Sequence, residues 1–192
     1  VGEDFCFGKG RSGTVKDLIS LGNSMGFEVT IADLMEIETG QVSSTSIRKA
    51  LAEGRPKDAA KQLGHWHRIE GVVIGGEQRG RELGYPTANM SLDGLHLPNL
   101  GVYAVLVDVL NGEHVGCYNG VASLGVRPMF GENTPNLETF IFDFSGDLYG
   151  ATLSVALVDF MRPEIKFDSL EKLIVQMDQD SLKAKELLKS FK

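Results

Sequence analysis

Residues Gly71 to Asn89 read GVVIGGEQRGRELGYPTAN. An apolar extended run leads into a glycine-rich turn that carries Arg79 and Arg81, and the chain re-emerges at Pro86, Thr87, Ala88 and Asn89. Glycine removes the side chains that would keep backbone N–H groups away from an anion. Thr87 and Asn89 are two apart in an extended segment, so their hydroxyl and amide oxygens point to the same side.

Such a loop suits a triphosphate and its Mg²⁺. Magnesium is a hard cation that keeps several waters and phosphate oxygens, so it needs few protein ligands, and those should be oxygens. Thr87 and Asn89 meet that demand. Taken alone, the stretch also reads as a surface turn, because Gly, Pro and Asn are ordinary turn residues.

Outward from this stretch, the signals on its C-terminal side are those of short strands: Ile69 to Ile74, Val102 to Leu110, Val115 to Ala122, Leu137 to Phe144 and Leu153 to Phe160. Glycine-containing turns separate them, and no long helix intervenes. That spacing predicts a closed antiparallel barrel rather than a parallel sheet. At the end of the chain Asp168 and Glu171 read as a capping box, and Leu170, Leu173, Ile174 and Met177 share a helical face. Ala184, Leu187, Leu188 and Phe191 repeat the spacing after an expected break near Asp180, which predicts helices that close the barrel.

The loop resembles the nucleotide-binding motif of bacterial bifunctional riboflavin kinase/FMN adenylyltransferases. Further motifs follow in that family's order: Gly101-Val102-Tyr103, YNGVASLGVRPMF (118–130), LETFIFDF (137–144), GDLYG (146–150) and MRPEIKFDSLEKL (161–173). The resemblance runs from about residue 65 to the end, and an ordered set of motifs is far more specific than any one of them. One position departs, with Met129 where the family usually has threonine. The resemblance implies phosphoryl transfer from ATP to riboflavin, giving FMN. It makes Glu138 the catalytic base and Gly75, Gly76, Gly80, Arg81, Gly84, Tyr85, Thr87 and Asn89 the ATP contacts. Thr87 and Asn89 are then the Mg²⁺ ligands, with Arg127 and Arg162 as flavin contacts or as salt bridges that hold loops. Strand alternation places Glu138 on a face with Phe140, Phe142 and Phe144, where partial desolvation would make a carboxylate a better base.

The first 64 residues read as a piece of an α/β layer, with strands at Phe5 to Phe7 and Val29 to Ala32 and a helix at Val15 to Leu21. Gly8, Gly10 and Gly13 form GxGxxG, with Asp33 twenty residues beyond. A lone fingerprint is weak, and one βαβ unit cannot build the dinucleotide crevice, so NAD or FAD binding is not expected. The segment is similar instead to the C-terminal part of the same family's adenylyltransferase module. Asp4 and Phe5 fall in VGEDFCFG, and Ser44, Thr45 and Arg48 fall in VSSTSIRKAL. Ser44 is the expected N-cap and Gly54 the expected end of that helix, whose free N–H groups suit a phosphate. The family's HxGH signature does not occur in the sequence, so adenylyl transfer is not expected of this chain. The start at Val1 reads as a truncation. The predicted organisation is α+β: a partial nucleotidyltransferase module over residues 1–64, then an antiparallel barrel with C-terminal helices over 65–192.

Composition sets outer bounds. The chain has 192 residues, is 42% hydrophobic and 23% charged, and contains no apolar run long enough to span a membrane. A net charge of −7 disfavours nucleic acid or an anionic membrane as the main partner. Strands 102–110 and 153–160 lack Arg and Lys, which argues against an oligonucleotide-binding barrel. Small-molecule substrates are therefore the expected partners. Cys6 and Cys117 stand in no metal or disulfide spacing, and a reducing cytoplasm is the expected setting. His65 and His67, two apart, offer at most a weak metal pair.

Overall fold

The computed structural model describes the chain except residues 39, 77–79, 81–82, 130–131 and 192, together with the side chains of 127–129 and 132–133. The candidates Arg79 and Arg81 and the side chains of Arg127 and Met129 thus lie outside the described residues. The structure forms two compact units, Val1–Ser46 and Ile47–Lys192.

In the first unit, helix α1 (Val15–Met25) runs one turn further than the sequence spacing predicts. It opens on a capping box in which Thr14 N and Oγ1 both donate to Asp17 Oδ2, at 2.8 and 2.7 Å. These bonds hold the Asp17 carboxyl below its ordinary range. The two expected strands do not form. Phe7 closes a small loop through an antiparallel bridge to Gly13, and Ala32 meets Gly2 in one parallel bridge. Parallel strands need further neighbours and covered faces, whereas Phe27 and Ile31 here remain 43% and 42% exposed. The glycines of GxGxxG are absorbed by the Phe7–Gly13 loop. A two-residue hairpin pair follows, β1 (Glu36–Ile37) and β2 (Gly40–Gln41).

Helix α2 (Ser44–Ala52) is capped one residue earlier than expected: Ser43 Oγ accepts from Ser46 N at 3.1 Å, which makes Ser44 the first helical residue. Gly54 ends the helix, with Arg55 N bonded to Ala50 O at 2.9 Å. Pro56 then opens α3 (Pro56–Leu63), a favoured place for a residue without an N–H. Ala50, Leu51 and Ala59 pack together between these helices.

The expected barrel is present. Its strands are β3 (Arg68–Val72), β4 (Thr87–Ser91), β5 (Gly101–Val109), β6 (Gly116–Met129), β7 (Glu132–Ile141) and β8 (Thr152–Arg162). They form one antiparallel sheet in the order β3-β8-β5-β6-β7-β4. Just past β3, Ile74 N donates to Asn89 O at 2.9 Å, which brings the two edges together and nearly closes the sheet. Two register shifts between β5 and β8 supply the bending that closure requires. At the first of them the chain passes so close to Arg162 O that a Cβ on Gly101 would lie 2.3 Å from it.

Strand β5 is buried on both faces. Tyr103, Val105, Val107 and Val109 point into the barrel with Met90, Leu124, Leu137 and Leu157, while Ala104 joins Phe142, Val158, Ala184 and Leu188 outside it. The second layer is covered by α4 (Leu170–Leu187), a single helix that continues as a 3₁₀ turn through Phe191. No break occurs at Asp180. Its carboxylate is 6% exposed and accepts from Arg162 Nε at 3.1 and 3.0 Å, Arg162 Nη2 at 2.6 Å and Gln176 Nε2 at 3.0 Å. The pairing offsets the cost of burying charge inside a helix face. The cap is Ser169, whose Oγ accepts from Lys172 N at 3.3 Å, and Asp168 instead pairs with Lys172 Nζ at 2.8 Å.

Strand β7 ends at Ile141, short of the expected Phe144, because Asp143 takes a left-handed φ of 55°. The reversal breaks the alternation, so Phe142 packs in the outer layer while Phe144 packs against the barrel core. Glu138 thus keeps Phe140 on its face but not Phe144.

Replacing Asp180 by Ala leaves Arg162 partly buried without its carboxylate, and the expected loss in urea unfolding is about 2–4 kcal/mol. Asp168→Ala, which removes the exposed pair with Lys172, is expected to cost under about 1 kcal/mol.

Candidate active site

Strands β4 and β7 build the site through their register, in which Thr87 lies opposite Phe140, Asn89 opposite Glu138 and Ser91 opposite Asn136. Ala88 and Met90 alternate into the core from β4, as Leu137, Thr139 and Ile141 do from β7. The intervening residues Thr87, Asn89, Asn136, Glu138 and Phe140 are consequently left on the other face. The three candidates with chemical roles, Thr87, Asn89 and Glu138, are brought together there.

Asn136 was not among the sequence candidates. It is 3% exposed, and its Nδ2 donates to Asn89 Oδ1 at 3.5 Å and to Glu138 Oε1 at 3.3 Å. One amide thus bridges the candidate metal ligand and the candidate base. The signal that could have found it is the alternation Asn136, Glu138, Phe140 in β7.

Gly76 and Gly80 lie against this face. A Cβ on Gly76 would meet Asn89 Nδ2 at 2.6 Å, and one on Gly80 would meet Tyr85 O at 2.3 Å. Tyr85 N donates to Gly80 O at 2.7 Å just before β4. Gly84 has φ +82°, and among the described residues nothing lies within 4 Å of a Cβ placed on Gly75 or Gly84.

Two cavities meet at Thr87. The first, about 300 Å³, is lined by Gly76, Gly80, Thr87, Asn89 and the Gly146–Tyr149 turn. The second, about 340 Å³, is lined by Tyr85, Thr87, Glu138, Phe140, Arg162 and Met177, among others. Both fall at the lower end of the range of small-molecule sites. The turn at Gly146–Tyr149 belongs to the GDLYG motif, to which the sequence reading assigned no role. Three buried polar atoms next to the site, Thr139 Oγ1, Asn136 Oδ1 and Ser181 Oγ, have no hydrogen-bond partner among the described residues. Arg162 lines the second cavity, but its guanidinium is engaged by Asp180 and by Pro163 O at 3.0 Å.

Of the candidates near the N-terminus, Asp4 sits in a turn, and Phe5, 38% exposed, stacks on Phe7 with centroids 6.0 Å apart. Ser44 and Thr45 occupy the first turn of α2, and Arg48 follows one turn on.

A family profile described as riboflavin kinase matches residues 63–188, and one described as FAD synthetase matches residues 1–46. The chain belongs to the riboflavin kinase family. A protein named bifunctional riboflavin kinase/FMN adenylyltransferase from Listeria monocytogenes is 39% identical over 181 residues, covering 93% of this chain and 56% of that protein. One of the same name from Pseudomonas fluorescens is 40% identical over 188 residues, covering 97% and 59%. The chain therefore spans less than two thirds of the length of these relatives. A crystal structure titled macrolide-efflux protein from Streptococcus pneumoniae matches with a TM-score of 0.76 and 39% identity, covering 93% of this chain and 57% of that one. In the present structure no helix among the described residues is long and apolar enough to cross a membrane.

A third cavity, about 340 Å³, lies by His67, Arg68, Glu70 and His96. His65 Nδ1 is 2.9 Å from Trp66 O, and no group of three metal-binding side chains occurs among the described residues. Burial, with smaller contributions from His96 and His65, pushes His67 below its ordinary value of 6.5. The unfolded chain then binds a proton more readily than the folded one, so stability falls as pH drops through 6.5 toward the folded value. Replacing His67 with Gln is expected to flatten the pH dependence of urea unfolding in that window, and an unchanged slope would show that His67 does not drive it.

Proposed function

We propose that this chain transfers the γ-phosphoryl group of ATP to the ribityl 5′-hydroxyl of riboflavin, giving FMN and ADP. The observation that carries the reading is the β4–β7 register, which sets Glu138 opposite Asn89 while Thr87 lines both cavities. In this assignment the first cavity takes the phosphates of ATP and the second takes the flavin. Phosphoryl transfer depends mainly on positioning and charge stabilisation, which a fixed strand pair supplies.

Glu138 accepts the 5′-hydroxyl proton, the oxygen forms a bond to the γ-phosphorus, and the bond to the β–γ bridging oxygen breaks with ADP as the leaving group. Asn136 orients the Glu138 carboxylate and the Asn89 amide oxygen through its shared Nδ2. Gly76 and Gly80 line the first cavity without side chains to obstruct a phosphate there, with Arg81 in the same loop, and Tyr85 belongs to the wall next to it.

Mg²⁺ fits the donor set, because Thr87 Oγ1 and Asn89 Oδ1 are hard oxygens and both residues line the first cavity. When bound there, Mg²⁺ would neutralise phosphate charge. Arg127 and Arg162 remain our flavin-side candidates, with Arg162 also holding α4.

We assign residues 1–64 to the C-terminal part of an adenylyltransferase module, with Asp4, Phe5, Ser44, Thr45 and Arg48 as its nucleotide-facing candidates, and residues 65–192 to the kinase. FMN adenylylation to FAD is proposed for the longer protein rather than for this stretch. A cytoplasmic setting and substrates limited to small molecules complete the reading.

Chromatographic separation of flavins after incubation with riboflavin, ATP and Mg²⁺ tests it. FMN without FAD is the expected product, and Glu138→Gln is expected to slow FMN formation about 10²- to 10⁴-fold while riboflavin binding persists. Riboflavin binding without FMN formation would leave a flavin-binding module and overturn the kinase. In a Mg²⁺ titration, Thr87→Ala and Asn89→Ala are each expected to raise the half-saturating concentration roughly tenfold, the loss of one ligand contact worth about 1.4 kcal/mol.

A further inference from the structure

Tyr85 is the last residue of the glycine loop that touches the second cavity, and it is held from three directions. Its backbone N–H donates to Gly80 O at 2.7 Å. Its ring lies against Phe140, with centroids 4.9 Å apart and planes inclined by 59°. Its hydroxyl donates to the carboxylate of Asp178, an exposed residue on α4. One side chain therefore joins the phosphate-side loop, the β7 strand that carries Glu138 and the helix that walls the flavin side. Tyr85 is two residues before Thr87, the residue common to both cavities, so a shift of Tyr85 moves the junction between them.

We propose that Asp178 is a positioning residue, which accepts the Tyr85 hydroxyl and thereby latches the loop–β4 junction onto α4 as the wall of the flavin cavity. The proposal rests on the reading of that cavity as the flavin side. Asp178 touches no reacting atom in this assignment, and its effect passes through Tyr85. The helix can serve as an anchor because Arg162 and Asp180 fix it to β8 only two residues further on. Burial, reinforced by Asp178, pushes the Tyr85 phenol up to about 12, so it remains a protonated donor throughout the neutral range. A Tyr85 held before the flavin arrives loses less freedom on binding, which is where such a latch acts.

The test uses Asp178→Ala, Asp178→Asn, Tyr85→Phe and the double variant Tyr85→Phe/Asp178→Ala. Three readouts are hydrogen exchange at the Tyr85 amide without ligand, riboflavin affinity by flavin fluorescence without ATP, and steady-state kinetics. Asp178→Ala is expected to speed exchange at Tyr85 and to raise the riboflavin Kd and KM about three- to tenfold, the effect of losing one hydrogen bond to a charged group. Its kcat should stay within about twofold. Asp178→Asn keeps an acceptor oxygen and should restore near-parental affinity. The double variant should be no weaker than the worse single one, since both remove the same contact.

Unchanged riboflavin affinity in Asp178→Ala, losses that add in the double variant, or failure of Asn to rescue would each overturn the latch. Parent protein that binds riboflavin without making FMN, while Asp178→Ala still weakens binding and speeds exchange, would remove the kinase reading and leave the latch standing. Normal FMN formation with Asp178→Ala indistinguishable from the parent would do the reverse. A parent that binds no riboflavin would remove both.

Discussion

The pairing register of β4 against β7 is the constraint on which the rest of the candidate site depends. Side chains alternate along a strand, so a slip by one residue would turn Thr87, Asn89 and Glu138 into the barrel and expose Ala88, Met90, Leu137 and Ile141. Burying those apolar side chains is worth about 1.5–3 kcal/mol each for the larger ones, far more than any polar contact on the opposite face. The polar arrangement is therefore selected indirectly, by what must be inside. Leu92 N to Pro135 O at 3.2 Å continues the same register past the end of β4, while Ile74 N to Asn89 O holds the other edge of β4.

The second constraint is that β5 and its neighbours are buried on both faces, which an antiparallel sheet achieves only if something covers its outside. Helix α4 and the 3₁₀ turn that continues it do so with Ala184, Leu187 and Leu188, and the Arg162–Asp180 pair fixes the helix to β8. Covering the sheet also shapes a cavity, since Met177, Asp180 and Ser181 of the same helix line the space in front of Glu138. Stability and the site thus draw on the same packing. A change that lifts α4 to improve access would also uncover the outer layer.

These differences in consequence explain which features could be read from the sequence. The barrel was legible because alternating apolar runs with turn residues between them report burial directly, and burial decides the sheet. Thr87, Asn89 and Glu138 were legible as residue types and by resemblance, and strand parity alone placed Thr87 and Asn89 together. Phe144 was misplaced because parity fails at the left-handed Asp143, a local conformation that no periodicity encodes. A break was expected near Asp180 because the apolar spacing pauses there before it repeats, yet the helix runs through, and Asp180 is held by Arg162 on a distant strand, a pairing that no local spacing encodes. The N-terminal strands were read from apolarity, but a ladder needs neighbours as well as apolar residues. Asn136 went unnoticed although it shares a strand face with Glu138, because the bond that links it to Asn89, 47 residues away, is not written in the local sequence.

A strand pair has a further property that suits two ligands meeting at one point. Residues directly opposite each other on neighbouring strands hold their Cβ atoms about 4.5–5.5 Å apart, close enough for groups on two bound molecules to approach while each keeps its own cavity. The β4–β7 pair uses that spacing at Asn89 and Glu138, and Thr87 forms the shared edge. Neither side chain need move for a donor on one side to face an acceptor on the other, because the sheet has already fixed both. Tyr85, just before β4, adds a third tie, since its hydroxyl reaches Asp178 on the helix that Arg162 and Asp180 fix to β8.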